Sequence, residues 1–300
     1  MAKRKLEIVE VSPRDGLQNE AEMVDTATKL ELVTRITAAG FKRLEAGSFV
    51  NPKKVPQMAD TPEVFEGLRG RSDATFIALA LNPKGVERAI AAGAKEVNYV
   101  FCASDGFSIR NNGAPVAETL KVWPDVVARA KAADVRISAT ISTAFGCPFD
   151  GEVPVANVVR AAEEIGRAPP FELALADTIG VAAPSDVTER FGAVGAVAPP
   201  GVQLRAHFHN TRNTALANAV AAVDAGVTIL DGSLAGIGGC PFAPGAAGNV
   251  PSEDLVYMFE RMGYDTGIDL DAAIETARFI GKALGKATPG MVSKAGKFPK

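Results

Sequence analysis

The chain predicts a (β/α)8 barrel on three observations. Short apolar, β-rich runs alternate with alanine-rich helical runs from end to end. Eight strands result, and strand–helix alternation implies parallel strands joined by right-handed crossovers, a count that favours closure over an open doubly wound sheet. Polar and ionisable residues gather just past the strands' C-terminal ends, where such a barrel carries its chemistry.

In chain order the strands are predicted at 6–11, 43–46, 74–81, 96–102, 136–142, 172–176, 202–209 and 228–233. Helices are predicted between them at 26–39, 61–68, 84–92, 116–133, 153–165, 184–194 and 213–225. Several helices stop at Ala-Gly, as at Ala39-Gly40, Ala92-Gly93 and Ala225-Gly226, where glycine accepts the left-handed turn that ends a helix. No Pro/Ser/Gly linker divides the chain, so 1–300 reads as one catalytic domain, with the barrel at about 5–250 and further helices at about 251–290. The last residues, 293–300, read as frayed.

Composition narrows the function classes. At 47% hydrophobic and 22% charged residues the chain can bury a large core, and no run approaches the ~20 apolar residues of a membrane span. The basic start meets Leu6-Glu-Ile-Val-Glu-Val11, whose glutamates interrupt any signal-peptide core, so a cytoplasmic protein is expected. A net charge of −3 without a basic block excludes an electrostatic footprint for nucleic acid. Cys102, Cys147 and Cys240 are far apart, which argues against a disulfide framework or zinc knuckle.

The two histidines of the chain, His207 and His209, stand at i and i+2 at the end of the seventh strand, so both rings face one way. The alternative is one core imidazole and one facing solvent. The converging rim favours a metal site. Asp15 and the amide oxygen of Asn249 would complete a two-imidazole, two-oxygen set suited to octahedral Mg²⁺ or Mn²⁺ with positions open for a chelating substrate. Arg14 presents permanent forked donors for an oxyanion or enolate. Glu45 and Asp177, acids at the ends of apolar strands, either orient Arg14 and the ligands or cap helices. Cys240 lies in a glycine-rich run, 236–249, that suits a closing lid whose thiol enters as acid or base. Cys102 and Cys147 are read as structural.

Val9-Glu-Val-Ser-Pro-Arg14-Asp15-Gly-Leu-Gln-Asn-Glu20, Ser48-Phe-Val-Asn-Pro-Lys-Lys-Val-Pro-Gln-Met58, Ala91-Ala-Gly-Ala-Lys-Glu-Val97, Asp177-Thr-Ile-Gly-Val181 and Ala235-Gly-Ile-Gly-Gly-Cys-Pro-Phe-Ala-Pro-Gly-Ala-Ala-Gly-Asn249 closely resemble the 3-hydroxy-3-methylglutaryl-CoA lyase family of metal-dependent TIM-barrel lyases. The resemblance runs over nearly the whole chain. It implies a divalent cation on Asp15, His207, His209 and Asn249, Arg14 on the enolate oxygen, Cys240 as the loop thiol, and Glu45 and Asp177 as essential neighbours. Gln18 and Ser104 fall where that family lines its substrate pocket.

Two departures bear on the substrate. The family's His-x-His-Asp-Thr-Tyr-Gly reads His209-Asn210-Thr211-Arg212-Asn213 here, and an aromatic before Gly146-Cys147-Pro148 is absent from Ala139-Thr140-Ile141-Ser142. Thr140 and Arg212 are therefore expected at the acyl group. The implied reaction is retro-Claisen cleavage of an acyl-CoA thioester, 3-hydroxy-3-methylglutaryl-CoA or another branched 3-hydroxyacyl-CoA, with Asp15 or His207 as base. A Claisen-condensing transferase of the same superfamily is the more distant reading. A homodimer or higher homo-oligomer is expected. Lys53, Lys54 and Lys84 are candidates for the CoA phosphates.

Overall fold

All eight predicted strands form, pair in parallel and close on themselves in the computed structural model, which describes residues 3–239 and 248–299. They are β1 Glu7–Glu10, β2 Arg43–Ser48, β3 Thr75–Ala80, β4 Glu96–Cys102, β5 Arg136–Ser142, β6 Glu172–Asp177, β7 Gln203–Phe208 and β8 Ile229–Gly232, with β8 returning to β1 through Glu7–Ile229 to Glu10–Gly232. The β4 and β5 bounds match the predicted ones; elsewhere the ends move by a few residues, as helix and strand termini fray. The strand β2 carries a bulge between Glu45 and Gly47 against β3, which bends it as it enters the rim.

Helices α1 Thr26–Ala38, α2 Thr61–Gly67 and α3 Pro83–Ala91 wrap the outside as expected. The predicted single helix at 116–133 is instead two, α5 Val116–Lys121 and α6 Trp123–Ala132, preceded by an unpredicted α4 Asp105–Asn111. Pro124 explains the break: it has no N–H for the carbonyl of Leu120, and its ring crowds that carbonyl. Then come α7 Val155–Gly166, α8 Pro184–Val197 and α9 Ala215–Asp224. The main apolar core lies between this helical sleeve and the barrel's outer face. It includes Leu32, Phe41, Trp123, Phe191 and Phe259, all 1% exposed or less. The Trp123 indole N–H donates to the carbonyls of Ile165 and Ala168, a polar end satisfied inside an apolar setting.

Beyond the barrel, α10 Ser252–Arg261 and α11 Leu270–Ala283 confirm the expected C-terminal helices. The tail expected to fray over 293–300 is pinned at its start: α12 Val292–Ala295 begins where the Asp254 carboxylate accepts N–H groups from Met291 and Val292, and Arg278 Nε donates to the Ser293 carbonyl. Among the described residues, no helix is long and apolar enough to cross a membrane.

The first turn of α10 also holds the root of the glycine-rich run. Glu253 Oε2 accepts the Ala235 N–H at 3.0 Å, where Ala235 sits at a φ of 68°, and Glu253 Oε1 is buried without a partner among the described residues. Burial, with the charges of Asp254 and Glu10 nearby, pushes the Glu253 carboxyl up to about 8 from 4.5. Between those values the folded chain holds a proton that the unfolded chain releases. The stabilisation is complete in acid and lost as pH rises through about 8. Glu253→Gln is therefore expected to gain stability over the parent by about 2 kcal/mol or more on going from pH 5 to 9 in urea unfolding. Parallel stability profiles for the two proteins would refute this.

Candidate active site

Strand β1 ends at the rim in a single turn of π-helix, Ser12–Gly16, closed by the Gly16 N–H on the Val11 carbonyl at 3.1 Å. Such a turn re-aims successive side chains, and here it delivers Arg14 and Asp15 to the cavity together. Glu10 ties it down. Its Oε1 accepts N–H groups from Ser12 at 2.8 Å and Leu234 at 2.9 Å, and its Oε2 takes the Ser252 hydroxyl at 2.6 Å. The β1 and β8 loops are thus one hydrogen-bonded unit. Gly238 lies against it at a φ of 99°, where an added Cβ would stand 2.6 Å from the Asp15 carbonyl.

From β7, the period of two brings Arg205, His207 and His209 onto the inward face. His207 Nδ1 lies 2.9 Å from Asp231 Oδ2, so its Nε2 is the nitrogen left for the cavity. Asp15 Oδ2 is 3.9 Å from His207 Nε2 and 3.5 Å from His209 Nε2. Each of these three residues offers a ligand atom within 4.8 Å of the other two. Asn249 adjoins them: its amide N–H donates to Asp15 Oδ2 at 2.8 Å, while its Oδ1 is buried without a partner among the described residues. Burial would raise the Asp15 carboxyl, yet the Arg14 guanidinium and the two imidazoles hold it well below the usual carboxylate range. Burial would lower His207, but the Asp231 carboxylate holds it up.

Below this rim the barrel interior is ionic where such barrels are usually filled with branched apolar side chains. Arg14 Nε donates to Glu45 Oε2 at 2.6 Å, and its Nη1 pairs with Asp15. Arg205 binds Asp231, Glu45 and Glu172; Arg43 binds Glu172 and Glu96; and half-exposed Arg136 closes the bottom on Glu96. This column has three buried guanidiniums, Arg14, Arg43 and Arg205, against four buried carboxylates, Glu45, Glu96, Glu172 and Asp231, and the half-buried Asp15. Arg136 is offset by Glu7, which pairs with Arg43 at the same end. A formal excess of two negative charges beside an unpartnered carbonyl oxygen and two imidazoles fits a divalent cation, since uncompensated buried charge is costly. Asp15, His207 and His209 form a site able to hold one.

A family model described as HMGL-like matches residues 5–280. The chain belongs to the HMGL-like family. It is 42% identical over 97% of both chains to the Pseudomonas aeruginosa 3-hydroxy-3-isohexenylglutaryl-CoA/hydroxy-methylglutaryl-CoA lyase. It is 43% identical, over 96% of itself and 94% of the relative, to the (R)-citramalyl-CoA lyase of Chloroflexus aurantiacus. An HMG-CoA lyase from Acinetobacter baumannii, solved with coenzyme A and 3-methylmalate, superposes with a TM-score of 0.93 at 40% identity, covering 99% of this chain and 96% of that one.

Within this HMGL-like barrel the predicted residues separate. Arg14, Asp15, Gln18, Glu45, Thr140, His207 and His209 line one cavity of about 550 Å³, with Asn249 behind Asp15. The Asp177 carboxylate accepts N–H groups from Val181 and Ala182, holding the loop after β6 ahead of α8. Ser104 stands off the cavity wall with its hydroxyl 3.4 Å from that of Thr143. Arg212 is exposed and donates to the carbonyls of Ile179 and Gly180, so the cation does not reach the cavity lining. Asn210 Oδ1 accepts the Ala215 N–H at the start of α9. Of the three lysines only Lys54 borders the cavity. Cys240 lies outside the described residues.

Sequence reasoning missed Arg205, Asp231, Asn98 and Arg110. The period of two could have found Arg205, two residues before His207, whereas Asp231 and Asn98 carry no motif and gain meaning only once the sheet closes. Arg110, on the unpredicted α4, borders the cavity mouth with no motif around it. Arg212→Ala is expected to change kcat/KM for any CoA thioester by less than ~3-fold, as for a surface contact; a tenfold loss would return Arg212 to the site. Asp15→Asn is expected to weaken Mn²⁺ binding by on the order of 10²-fold in calorimetric titration, because it removes a charged ligand. Unaltered Mn²⁺ affinity would exclude Asp15 from the cation site.

Proposed function

We propose that this lyase cleaves 3-hydroxy-3-methylglutaryl-CoA into acetyl-CoA and acetoacetate, with Mg²⁺ or Mn²⁺ held by Asp15, His207, His209 and Asn249. The observation that carries the reading is the convergence of Arg14, Asp15 and both imidazoles on one cavity in a chain about 40% identical to named lyases over nearly its full length. When bound, the cation supplies Lewis acidity that lowers the pKa of the substrate's tertiary hydroxyl and polarises the ketone that forms.

The protein's own groups then have separable tasks. An imidazole that serves as a ligand has no second site on the same nitrogen, whereas a carboxylate keeps one oxygen, so Asp15 rather than His207 takes the hydroxyl proton, at Oδ1. Arg14 beside it keeps that carboxylate charged beforehand and makes its hold on the proton brief. As C2–C3 breaks, the electron pair moves onto the thioester to give an enolate, whose oxygen Arg14 stabilises; Glu45 fixes the guanidinium for this role. Cys240 is our candidate to deliver the proton to C2, which balances the one lost from the hydroxyl.

The (R)-citramalyl-CoA lyase relative is as similar in sequence as the others, so a second branched 3-hydroxyacyl-CoA is a reading of equal chemistry. At the cavity wall the Thr140 hydroxyl donates to Asn98 Oδ1 at 2.9 Å, and Asn98 in turn donates to Glu45 at 2.8 Å. Thr140 therefore offers the substrate an acceptor only, and it suits a hydroxyl or methyl better than a carboxylate. Acetyl-CoA release from 3-hydroxy-3-methylglutaryl-CoA and from (R)-citramalyl-CoA, with and without Mg²⁺ or Mn²⁺, decides between them by kcat/KM.

Arg14→Met is expected to lower kcat by on the order of 10²-fold or more while Mn²⁺ affinity stays near that of the parent, as for loss of an oxyanion donor. Near-normal turnover in that variant would remove Arg14 from the enolate. Cys240→Ser is expected to abolish most turnover without altering Mn²⁺ binding, and retention of full activity would assign the C2 proton to another donor.

A further inference from the structure

We infer that Arg205 is a positioning residue that sets both halves of the site at once, the cation ligand His207 on one side and the enolate donor Arg14 on the other. For its kinetic consequence only, this inference rests on the lyase reading above. Arg205 is 1% exposed, stands two residues before His207 on the same inward face of β7, and does not line the cavity. It can act on substrate only through others.

Its guanidinium grips three carboxylates. Nε and Nη2 take the two oxygens of Asp231, the second at 2.9 Å; Nη2 also reaches Glu45 Oε1 at 3.2 Å, and Nη1 reaches Glu172 Oε1 at 3.1 Å. Two of those carboxylates are the ones that orient functional groups. Asp231 Oδ2 meets His207 Nδ1 at 2.9 Å and so fixes which ring nitrogen carries the proton, leaving Nε2 for the cavity. Glu45 Oε2 accepts Arg14 Nε at 2.6 Å. Every oxygen of Asp231 and Glu45 is thus committed, and among the described residues the hydrogen-bond partner they share is Arg205.

The residue type follows from the geometry. Two carboxylates held close in a buried interior repel, and a forked, permanently charged donor can satisfy both in fixed directions. Lysine would conserve the charge and lose the fork. If Arg205 served the barrel's stability alone, that exchange would leave the ring proton of His207 and the affinity for a cation where they are.

The experiment uses Arg205→Lys beside the parent protein. Because the chain has only two histidines, the imidazole nitrogens can be read individually by ¹⁵N NMR of the metal-free protein. The expected result is loss of the fixed Nδ1–H form of His207, a 10- to 100-fold weaker Mn²⁺ affinity, and a fall in kcat of similar size with KM for the thioester little changed. The charge-balanced pair Arg205→Gln with Glu172→Gln removes both partners of one ion pair and carries the same expectation should the lysine variant fail to fold. A folded variant with the parent's histidine spectrum and Mn²⁺ affinity would overturn the inference. If the parent turns over no 3-hydroxy-3-methylglutaryl-CoA, the substrate reading fails, while the histidine spectrum and the Mn²⁺ titration still decide Arg205.

Discussion

Everything at the rim depends on the cost of burying charge. An ion inside a barrel loses its hydration, and only close partners with satisfied hydrogen bonds offset that loss. The interior of this barrel accepts the cost repeatedly, from Arg136 and Glu96 at the bottom through Arg43, Glu172 and Arg205 to Asp231, Glu45 and Arg14 at the top. Arg43 and Arg205 each span carboxylates from two or more strands, and Arg14 joins Glu45 to Asp15, so the buried pairs interlock. Removing one partner of such a pair costs about 3–5 kcal/mol, because the other is left charged and dry. The column is therefore stiff, and its upper end is where stiffness matters to chemistry.

The apolar part of the fold supplies the frame for that column. Val9, Val11, Ile77 and Ile229 form only a small apolar cluster of their own, while the large core lies outside the strands, under the helices. Alanine-rich helix faces allow close approach to the strands, and the tail helices α10 to α12 brace the barrel beside the β8 loop. Glu253 of that brace on Ala235 and Glu10 of β1 on Leu234 together hold the root of the glycine-rich run. Packing energy placed outside the barrel thus leaves the inside free for polar groups.

At the rim, charge balance and hydrogen-bond direction divide the work. Arg14 is held from below by Glu45 and paired sideways with Asp15, which makes it rigid and keeps Asp15 anionic. His207 is backed by Asp231, and Asn249 keeps an unpartnered oxygen beside Asp15. Asp15, Glu45 and Asp231 all stand at this end, opposite a cavity wall that includes Thr140, Asn98 and Gln18. A divalent ion and a hydroxyl-bearing thioester match that field and that wall.

The periodicity of the chain by itself determined eight strands, their order and the one rim on which His207, His209, Asp15 and Arg14 meet, because alternation and strand polarity are local properties. Local patterns also showed where α1 and α3 lie, but the helix predicted whole at 116–133 took no account of Pro124, which breaks it. Residues two steps down each strand were harder to read. Arg205, Asp231 and Asn98 look from the sequence like isolated polar residues in apolar runs, and only closure of the sheet brings them together with Glu45 and His207. Tertiary structure alone decided that Arg212 donates to the loop after β6, that Ser104 stands behind the wall and that Asp177 holds the loop ahead of α8. The reason is physical: which partner satisfies a buried polar group depends on through-space distance, and sequence separation carries no record of it.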